Sequence, residues 1–249
     1  MNIFIYDSFL NHKKYDRLLA RLETRITDLG LNGKISRLSL TRNVNDTVRH
    51  ELKAGAKTII AVGNNKTIHQ IINALAGSPA PLGIIPIGEK NNDIAKSLGI
   101  KSVDEACDVL SARLLARLDL GSAKQTHFLG NATIENQGTM INISNDYSIE
   151  ATGKGLIHIF NLASPEIALP AQVKAAPDDG ILELVIQAQI NKNVFSKKDS
   201  QSIFKIQKVT VSNPKAKLIL DGSASLTTPA EITVVKQCLN VIVGKNRNF

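Results

Sequence analysis

The chain has 249 residues, of which 43% are hydrophobic and 21% are charged, so it can bury a sizeable core in one large or two small domains. Its longest apolar runs are far shorter than the roughly 20 residues of a membrane-spanning helix, and its two cysteines are too few for a disulfide framework. The formal net charge of +8 fits either a polyanionic partner or a solvated basic surface, but 4% aromatic residues without tryptophan argue against a nucleic-acid stacking platform.

Residues 1–119 alternate short β-branched runs with segments of helical periodicity. Strands that alternate with helices in this way indicate a doubly wound parallel sheet with helices on both faces. We therefore predict an α/β nucleotide-binding-like domain over residues 1–119. Strands are predicted at residues 2–6, 34–39, 58–62 and 82–87, and helices at residues 14–29, 45–54, 68–75, 94–98 and 103–116.

From residue 117 onward the pattern changes to short alternating segments separated by Gly, Pro, Asn and Asp turns. Only residues 192–202 leave room for another helix. The pattern predicts an antiparallel β-sandwich domain over residues 120–249, whose last strand could return to the first domain. Strands are predicted at residues 118–120, 132–134, 140–144, 157–162, 181–187, 208–212, 217–220 and 231–235.

Two loops follow strands of the predicted parallel sheet, where ligands bind because helix N-termini point backbone N–H groups outward. A leading glycine permits close backbone approach, a threonine can contact phosphate, and lysines can pair with its charge. Tight turns capped by Asn and Thr explain the same residues, and the pattern alone leaves this alternative open. The first loop is Gly63, Asn64, Asn65, Lys66 and Thr67, and the second is Gly88, Glu89, Lys90, Asn91, Asn92 and Asp93.

Four collinear segments carry a family resemblance. The segments TIIAVGNNKTIHQIINAL (58–75), PLGIIPIGEKNNDIAKSLGI (81–100), APDDGILEL (176–184) and LDGS (220–223) resemble the diacylglycerol kinase catalytic-domain family. The resemblance implies an N-terminal domain like that of NAD kinase and diacylglycerol kinase, which holds ATP at the two loops, and a β domain on the lipid side. It also implies a need for Mg²⁺ and transfer of the γ-phosphate of ATP to a lipid hydroxyl, and it leaves a homodimer open.

The loops depart from the family pattern. Where the family has Gly-Gly-Asp-Gly-Thr, Asn65 replaces the aspartate that helps to manage magnesium and phosphate, and Lys66 replaces the last glycine. The Cβ atom of Lys66 restricts positive φ angles, although its charge could compensate at a phosphate. Glu89 stands where the family has a phosphate-binding threonine, and the pair Asn92-Asp93 is kept. The family's Asn-Pro motif after the first strand is absent, because residues 6–9 read Tyr-Asp-Ser-Phe.

In the second half, the resemblance implies a magnesium site and a general base. Asp178, the carbonyl of Ile181 and Glu183 would lie near a structural Mg²⁺. Family members write Asp-Gly-Glu near residue 221, and the glutamate is assigned as the base that takes the lipid hydroxyl proton. This chain has Ser223 after Asp221, and serine cannot accept that proton near neutral pH because its conjugate acid is too strong. The predicted catalytic positions are therefore Asp221 and Ser223, with the base replaced.

Three functions stay open at this point. The first is a lipid-kinase-like protein whose eroded ATP and magnesium site leaves it weakly active or inactive, and which is kept for binding or regulation. The second is an active ATP-dependent lipid kinase, acting on a diacylglycerol- or sphingoid-type hydroxyl, in which Asn65, Lys66 and another acid take over the lost roles. The third is an NAD-kinase-like nucleotide binder, which ranks last because no G-x-G-x-x-G fingerprint follows a strand.

The expected partners are nucleotide and lipid, including an anionic membrane surface, and no nucleic acid is expected. The expected location is the cytoplasm, because residues 1–6 read as a buried strand and carry no features of a signal peptide. Peripheral attachment to a membrane stays open.

Overall fold

The computed structural model describes residues 1–39, 43–88, 92–143, 147–165, 167, 169, 173–193, 196–247 and 249. Glu89, Lys90 and Asn91 of the second predicted loop lie outside these ranges, and the other predicted site residues lie within them. None of the helices in the described part of the chain is both long and apolar enough for a membrane crossing.

Helices and strands alternate along residues 1–112, and most of them begin and end within two or so residues of the predicted bounds. Two short 3₁₀ turns, Ser8–Asn11 and Lys13–Tyr15, connect the first strand to the first helix. The elements are β1 (Asn2–Tyr6), α1 (Asp16–Asp28), β2 (Gly33–Arg37), α2 (Val44–Lys53), β3 (Thr58–Gly63), α3 (Asn65–Leu75), β4 (Leu82–Pro86), α4 (Asp93–Ser97) and α5 (Val103–Ala112).

From residue 115 onward the regular elements of the described chain are strands. Short turns join most of them, as the spacing of Gly, Asn and Asp predicts. They are β5 (Leu115–Ala123), β6 (Thr126–Phe128), β7 (Asn131–Glu135), β8 (Thr139–Ile143), β9 (Tyr147–Ala151), β10 (Lys154–Phe160), β11 (Leu182–Asn193), β12 (Ser196–Ile206), β13 (Lys208–Ser212), β14 (Lys217–Leu220), β15 (Ala224–Thr227) and β16 (Ala230–Ile242).

The chain folds into two compact units, of which the first contains residues 1–118, Ser164 and residues 237–247. Its strands follow the order β2-β1-β3-β4-β16 with parallel neighbours, and β16 joins β4 where Val241 lies beside Leu82. Strands β3 and β4 are buried along their whole length, as expected of strands covered on both faces. Helix α1 contacts α5 and α2 contacts α3, which is the pairing expected of two helical layers.

The second unit contains Asp119–Ala163 and residues 167–236, and its strands pair in antiparallel fashion. One sheet has the order β12-β11-β10-β7-β14-β15, and the other contains β16-β13-β8-β9. Apolar side chains of both sheets form one buried core, because strand alternation points every second residue inward. The predicted fold class, an α/β domain followed by an antiparallel β-sandwich domain, is confirmed. Core residues include Ile134, Ile141, Ile157, Ile159, Leu184, Val209, Leu218 and Ile232.

Helix α5 ends four residues before the predicted end at residue 116. Arg113 takes a left-handed backbone conformation (φ 51°), and its N–H donates to the carbonyl of Val109. A left-handed residue that bonds back in this way ends an α-helix. The Arg113 side chain also donates to the hydroxyl of Thr58 (3.1 Å), and β5 begins two residues later at Leu115.

The described part of residues 192–202, where the sequence leaves room for a helix, forms strands instead. Strand β11 continues to Asn193 and β12 begins at Ser196, while residues 194–195 lie outside the described chain. The two strands pair from Leu182 beside Ile206 to Asn193 beside Ser196. Cross-strand hydrogen bonds along this ladder override the weak helical preference of a polar segment.

Candidate functional site

The first predicted loop forms the opening of helix α3. Asn64 is the N-cap of the helix, and its side-chain oxygen accepts hydrogen bonds from the N–H groups of Lys66 (3.0 Å) and Thr67 (3.4 Å). Lys66 belongs to α3 and has helical backbone, so the strain expected from its Cβ atom does not arise. Asn64 thus satisfies two of the N–H groups with which a helix N-terminus could hold a phosphate.

The side chain of Asn65 is hydrogen-bonded directly to that of Asp93, the first residue of α4. The side-chain amide of Asn65 donates to one carboxylate oxygen of Asp93, and the other oxygen accepts from the hydroxyl of Ser164 (3.3 Å). Asn65 is buried, and its amide oxygen has no hydrogen-bond partner in the described structure. Two carboxylates at these positions would repel each other unless a cation lay between them, whereas an amide binds a carboxylate directly. The Asn65–Asp93 pair therefore needs no metal ion to hold it together.

Asp7 is a site residue that sequence reasoning missed. It follows β1, and one of its carboxylate oxygens accepts the hydroxyl proton of Thr67 in the first turn of α3. Its other oxygen accepts from the N–H of Phe9 (3.1 Å) and the hydroxyl of Ser8 (3.2 Å), which caps the 3₁₀ turn. The backbone N–H of Asp7 also donates to the carbonyl of Val62 (3.0 Å), so the residue is held beside the end of β3.

Gly63 packs directly against these side chains. A Cβ atom at Gly63 would lie 2.6 Å from the hydroxyl oxygen of Thr67 and 3.2 Å from the Cβ atom of Asp7. The absence of a side chain at Gly63 thus makes room for the chain's own Thr67 and Asp7.

The second predicted loop is described only at its two ends. Gly88 is exposed and has a positive φ of 128°, and its carbonyl accepts from the side-chain amide of Asn92 (2.7 Å). The amide oxygen of Asn92 is buried and lacks a hydrogen-bond partner in the described parts of the chain. A link between the two loops comes from Ile87, whose N–H donates to the carbonyl of Gly63 (2.9 Å). Lys66 is exposed on the first loop, and no acidic partner for it occurs among the residues described.

In the second unit, Asp221 is held by a set of backbone donors. Its carboxylate accepts from the N–H groups of Leu129 (3.0 Å), Gly130 (2.8 Å) and Asn131 (3.1 Å), and its backbone takes a left-handed conformation (φ 48°). Ser223 donates its hydroxyl proton to the carbonyl of Asp221 (3.0 Å). The hydroxyl of Ser223 is thus used inside the turn, while the Asp221 carboxylate fixes the turn to the strand β7.

The predicted magnesium segment contains one buried acid and two exposed ones. Asp178 and Asp179 are exposed, and Asp179 accepts from the N–H of Ile181 (2.9 Å). Glu183 is buried, and neither of its carboxylate oxygens has a hydrogen-bond partner in the described structure. Burial, with a smaller contribution from Asp179, raises the pKa of Glu183 to about 7, while Lys205 acts in the opposite direction.

Asp119 was not predicted as part of this segment. It is buried, and its carboxylate accepts from the N–H of Gly180 (2.6 Å), while its own N–H donates to the carbonyl of Pro177 (2.6 Å). These bonds fix the turn that leads to Glu183. No local sequence pattern predicts this contact, because Asp119 lies far from the segment in sequence.

The two groups of residues can do different chemistry. The cluster around α3 offers carboxylate and amide oxygens. Its donors at Thr67 and at the Asn65 amide are already bonded within the chain, and the exposed Lys66 is the cation that a phosphate could still meet there. The Glu183 carboxyl group has no hydrogen-bond partner in the described structure, and its oxygens suit a hard cation. Among the described residues, there is no group of three or more acidic, histidine or cysteine side chains that could hold a metal ion.

Comparisons with known proteins agree with the fold. The sequence model of the diacylglycerol kinase catalytic domain matches residues 2–123. A diacylglycerol kinase from Bacillus anthracis has 18% sequence identity and a TM-score of 0.78, over 98% of this chain and 97% of that one. An NAD kinase from Archaeoglobus fulgidus, solved in complex with ATP, has 14% identity and a TM-score of 0.57, over 99% of this chain and 95% of that one. No curated protein matches the chain.

Proposed function

The chain belongs to the diacylglycerol kinase catalytic-domain family through residues 2–123, and on that premise we propose that it keeps the lipid-kinase fold but transfers phosphate weakly or not at all. Its role would be binding or regulation. The ligand classes suited to the fold are ATP, magnesium and lipid, and the residues at the two predicted loops and at residues 178–183 determine which of them this chain can still hold.

The observation that carries this proposal is the bond between Asn65 and Asp93. Phosphoryl transfer requires cations that neutralise the charge developing on the phosphates, and carboxylates hold those cations. Asn65 brings no charge, and its amide occupies one oxygen of the acid that is left. The cluster is therefore stable without the cation on which the family's chemistry depends.

A second support is the missing base. Ser223 cannot take the proton of a lipid hydroxyl, and its own hydroxyl donates a hydrogen bond to the carbonyl of Asp221. A positioned general base typically contributes ~10²–10⁴-fold to a rate. Its loss leaves room for a slow residual reaction but not for efficient turnover.

Magnesium fits the segment from Asp178 to Glu183 better than it fits the loops. The buried carboxyl of Glu183 has no hydrogen-bond partner in the described structure, and a cation would add its charge to the weak attraction of Lys205. Asp178, the carbonyl of Ile181 and Glu183 would be the ligands, and all of them present oxygen, which Mg²⁺ prefers. The ion would neutralise buried charge and fix the segment in place.

An anionic lipid surface fits the first unit. The cations Lys13, Lys14 and Arg17 are exposed and have no acidic partner in the described chain, although Lys14 lies 4.8 Å from the ring centre of Tyr15. The next two cations on α1, at positions 21 and 25, are paired with acids of α5. The three unpaired cations can therefore bind a negative surface without breaking an existing ion pair.

Vesicle binding tests this surface. Each basic residue near an anionic membrane contributes about 1 kcal/mol, so replacing Lys13, Lys14 and Arg17 together by glutamate should weaken binding to phosphatidylglycerol vesicles at least about 100-fold. Co-sedimentation at constant ionic strength measures the change. Equal loss in a control with three exposed lysines of the second unit changed to glutamate would contradict a specific surface. The control positions are Lys154, Lys215 and Lys217.

A second candidate function, an active lipid kinase of unusual chemistry, is favoured by one observation. Asp7 brings a carboxylate to the hydroxyl of Thr67. A neighbouring segment thus supplies an acid near the position where Asn65 replaces the family's aspartate. An NAD-kinase-like nucleotide binder comes third, because only the likeness of fold favours it.

Restoring the family residues tests the proposal. The double variant Asn65→Asp with Ser223→Glu regains both lost carboxylates, and we expect it to transfer label from ATP to diacylglycerol in the presence of Mg²⁺ above the wild-type level. The matched control is Asn45→Asp, an exposed position in the first turn of α2. Wild-type transfer equal to that of the double variant, at a rate typical of kinases, would contradict the proposal.

A further inference from the structure

Asp7 lies against the opening of helix α3 in the first unit, where its carboxylate accepts a hydrogen bond from the hydroxyl of Thr67. We propose that Asp7 excludes phosphate from the N-terminus of α3, so that this residue, together with the change at Asn65, determines that the chain does not hold a nucleotide. The inference rests on the proposed function, since it explains why the fold would bind nucleotide weakly.

Hydrogen-bond donors at the start of α3 are largely used within the chain. A phosphate oxygen is an acceptor and needs N–H or O–H groups, and the hydroxyl of Thr67 is one side-chain donor of the loop, beside the exposed ammonium of Lys66. That hydroxyl donates to Asp7. The N–H groups of Lys66 and Thr67 donate to Asn64. A phosphate would therefore have to displace acceptors that belong to the chain itself.

The charge of Asp7 also opposes a phosphate at this helix end. The first turn of α3 contains no acidic residue of its own, although the partial positive charge of a helix N-terminus favours one. Asp7 supplies that negative charge from a different segment, through its contact with Thr67. A phosphate placed against the same turn would meet a carboxylate of like charge, and this repulsion weakens binding.

Space beside Gly63 is limited by Thr67 and Asp7. A Cβ atom at Gly63 would lie 2.6 Å from the hydroxyl oxygen of Thr67 and 3.2 Å from the Cβ atom of Asp7. Gly63 is the residue whose missing side chain would let a phosphate approach the backbone closely. The Asp7 carboxylate next to it accepts from the N–H of Phe9 and the hydroxyl of Ser8. Asp7 is thus fixed in this place by its own turn.

The test is nucleotide binding by the full chain with Asp7→Asn. The amide keeps the size of the side chain and can still accept from Thr67, but it carries no charge. We expect the variant to bind ATP and inorganic tripolyphosphate at least about tenfold more tightly than the wild type in titration calorimetry, and the gain should shrink as salt is added. Tripolyphosphate separates phosphate binding from contacts to the base.

A control substitution and an alternative variant accompany this test. Asp16→Asn removes an exposed acid in the first turn of α1, and it should leave ATP binding at the wild-type level. If Asp7→Asn does not melt cooperatively, Asp7→Ser supplies a smaller neutral side chain that can still cap the 3₁₀ turn. Equal ATP affinity in the wild type and in a folded Asp7 variant would overturn the inference.

Failure of this inference differs from failure of the proposed function. Efficient phosphate transfer by the wild type would refute the proposed function, whatever the binding data show. An inactive wild type with no gain in the Asp7 variants would refute only the role of Asp7 and leave Asn65 as the sole cause.

Discussion

The buried carboxyl of Glu183 should make the stability of this protein depend on pH. Its pKa rises from an ordinary value of 4.5 to about 7 because burial disfavours the charged form, and Asp179 adds repulsion against the weaker attraction of Lys205. The folded chain therefore keeps a proton that the unfolded chain releases between about pH 4.5 and pH 7. Stability is highest below that window and falls as pH rises through it. At about 1.4 kcal/mol for each pH unit between the two pKa values, the loss approaches about 3 kcal/mol.

Urea unfolding of the wild type and of Glu183→Gln, in EDTA at pH 5 and pH 8, measures this loss. The glutamine variant cannot ionise at this position, so the difference in unfolding free energy between the two proteins should change by about 2–3 kcal/mol between the two pH values. Added Mg²⁺ at pH 8 should stabilise the wild type and leave the variant unchanged. The control is Glu231→Gln, an exposed acid paired with Lys208 (2.8 Å), which should show little pH-dependent difference. Parallel pH profiles for wild type and Glu183→Gln would refute the reasoning.

Three further substitutions test the local structure of the two sites. Asp221→Ala leaves three backbone N–H groups without their acceptor and should lower the unfolding free energy by about 3 kcal/mol, whereas a loss below about 1 kcal/mol would contradict the anchoring role. Gly63→Ala places a methyl group 2.6 Å from the Thr67 hydroxyl oxygen and should cost about 1–3 kcal/mol, and an unchanged melting temperature would show that the loop relaxes freely. Asn64→Ala removes the N-cap of α3 and should cost about 1 kcal/mol, with Asn64→Asp as the control that keeps the cap; equal stability of both variants would argue against capping.

The parts of the fold that the sequence predicts well have local signals. The run from Thr58 to Gly63 is apolar and β-branched, and the structure buries it completely. Helix α3 follows at once with an Asn cap, which is a local signal too. The misplaced end of α5 came from a helical period that continues past Arg113, because periodicity does not reveal a left-handed backbone. Residues 192–202 gave no strand signal because this stretch is polar and lacks alternating apolar residues, although β11 and β12 pair there as a hairpin.

Some residues of the candidate site can be found from sequence motifs, and others cannot. Motif order drew attention to Asn65 and Ser223, since both stand inside recognisable segments. Asp7 could not be found in that way, because its contact with Thr67 spans 60 positions and depends on the register of two strands. The burial of Glu183 was also hidden, because an acid next to a turn reads as exposed in a strand pattern. The roles proposed for these residues stay predictions until the variants are measured.

Phosphate transfer by the wild-type protein tests the central claim most directly. Labelled ATP, Mg²⁺ and vesicles containing diacylglycerol or a mixed lipid extract are incubated with the purified protein, and the lipid fraction is counted. The account predicts little or no labelled lipid from a protein that still melts cooperatively and binds anionic vesicles. Efficient labelling that disappears on Lys66→Ala would establish an unconventional kinase and contradict it.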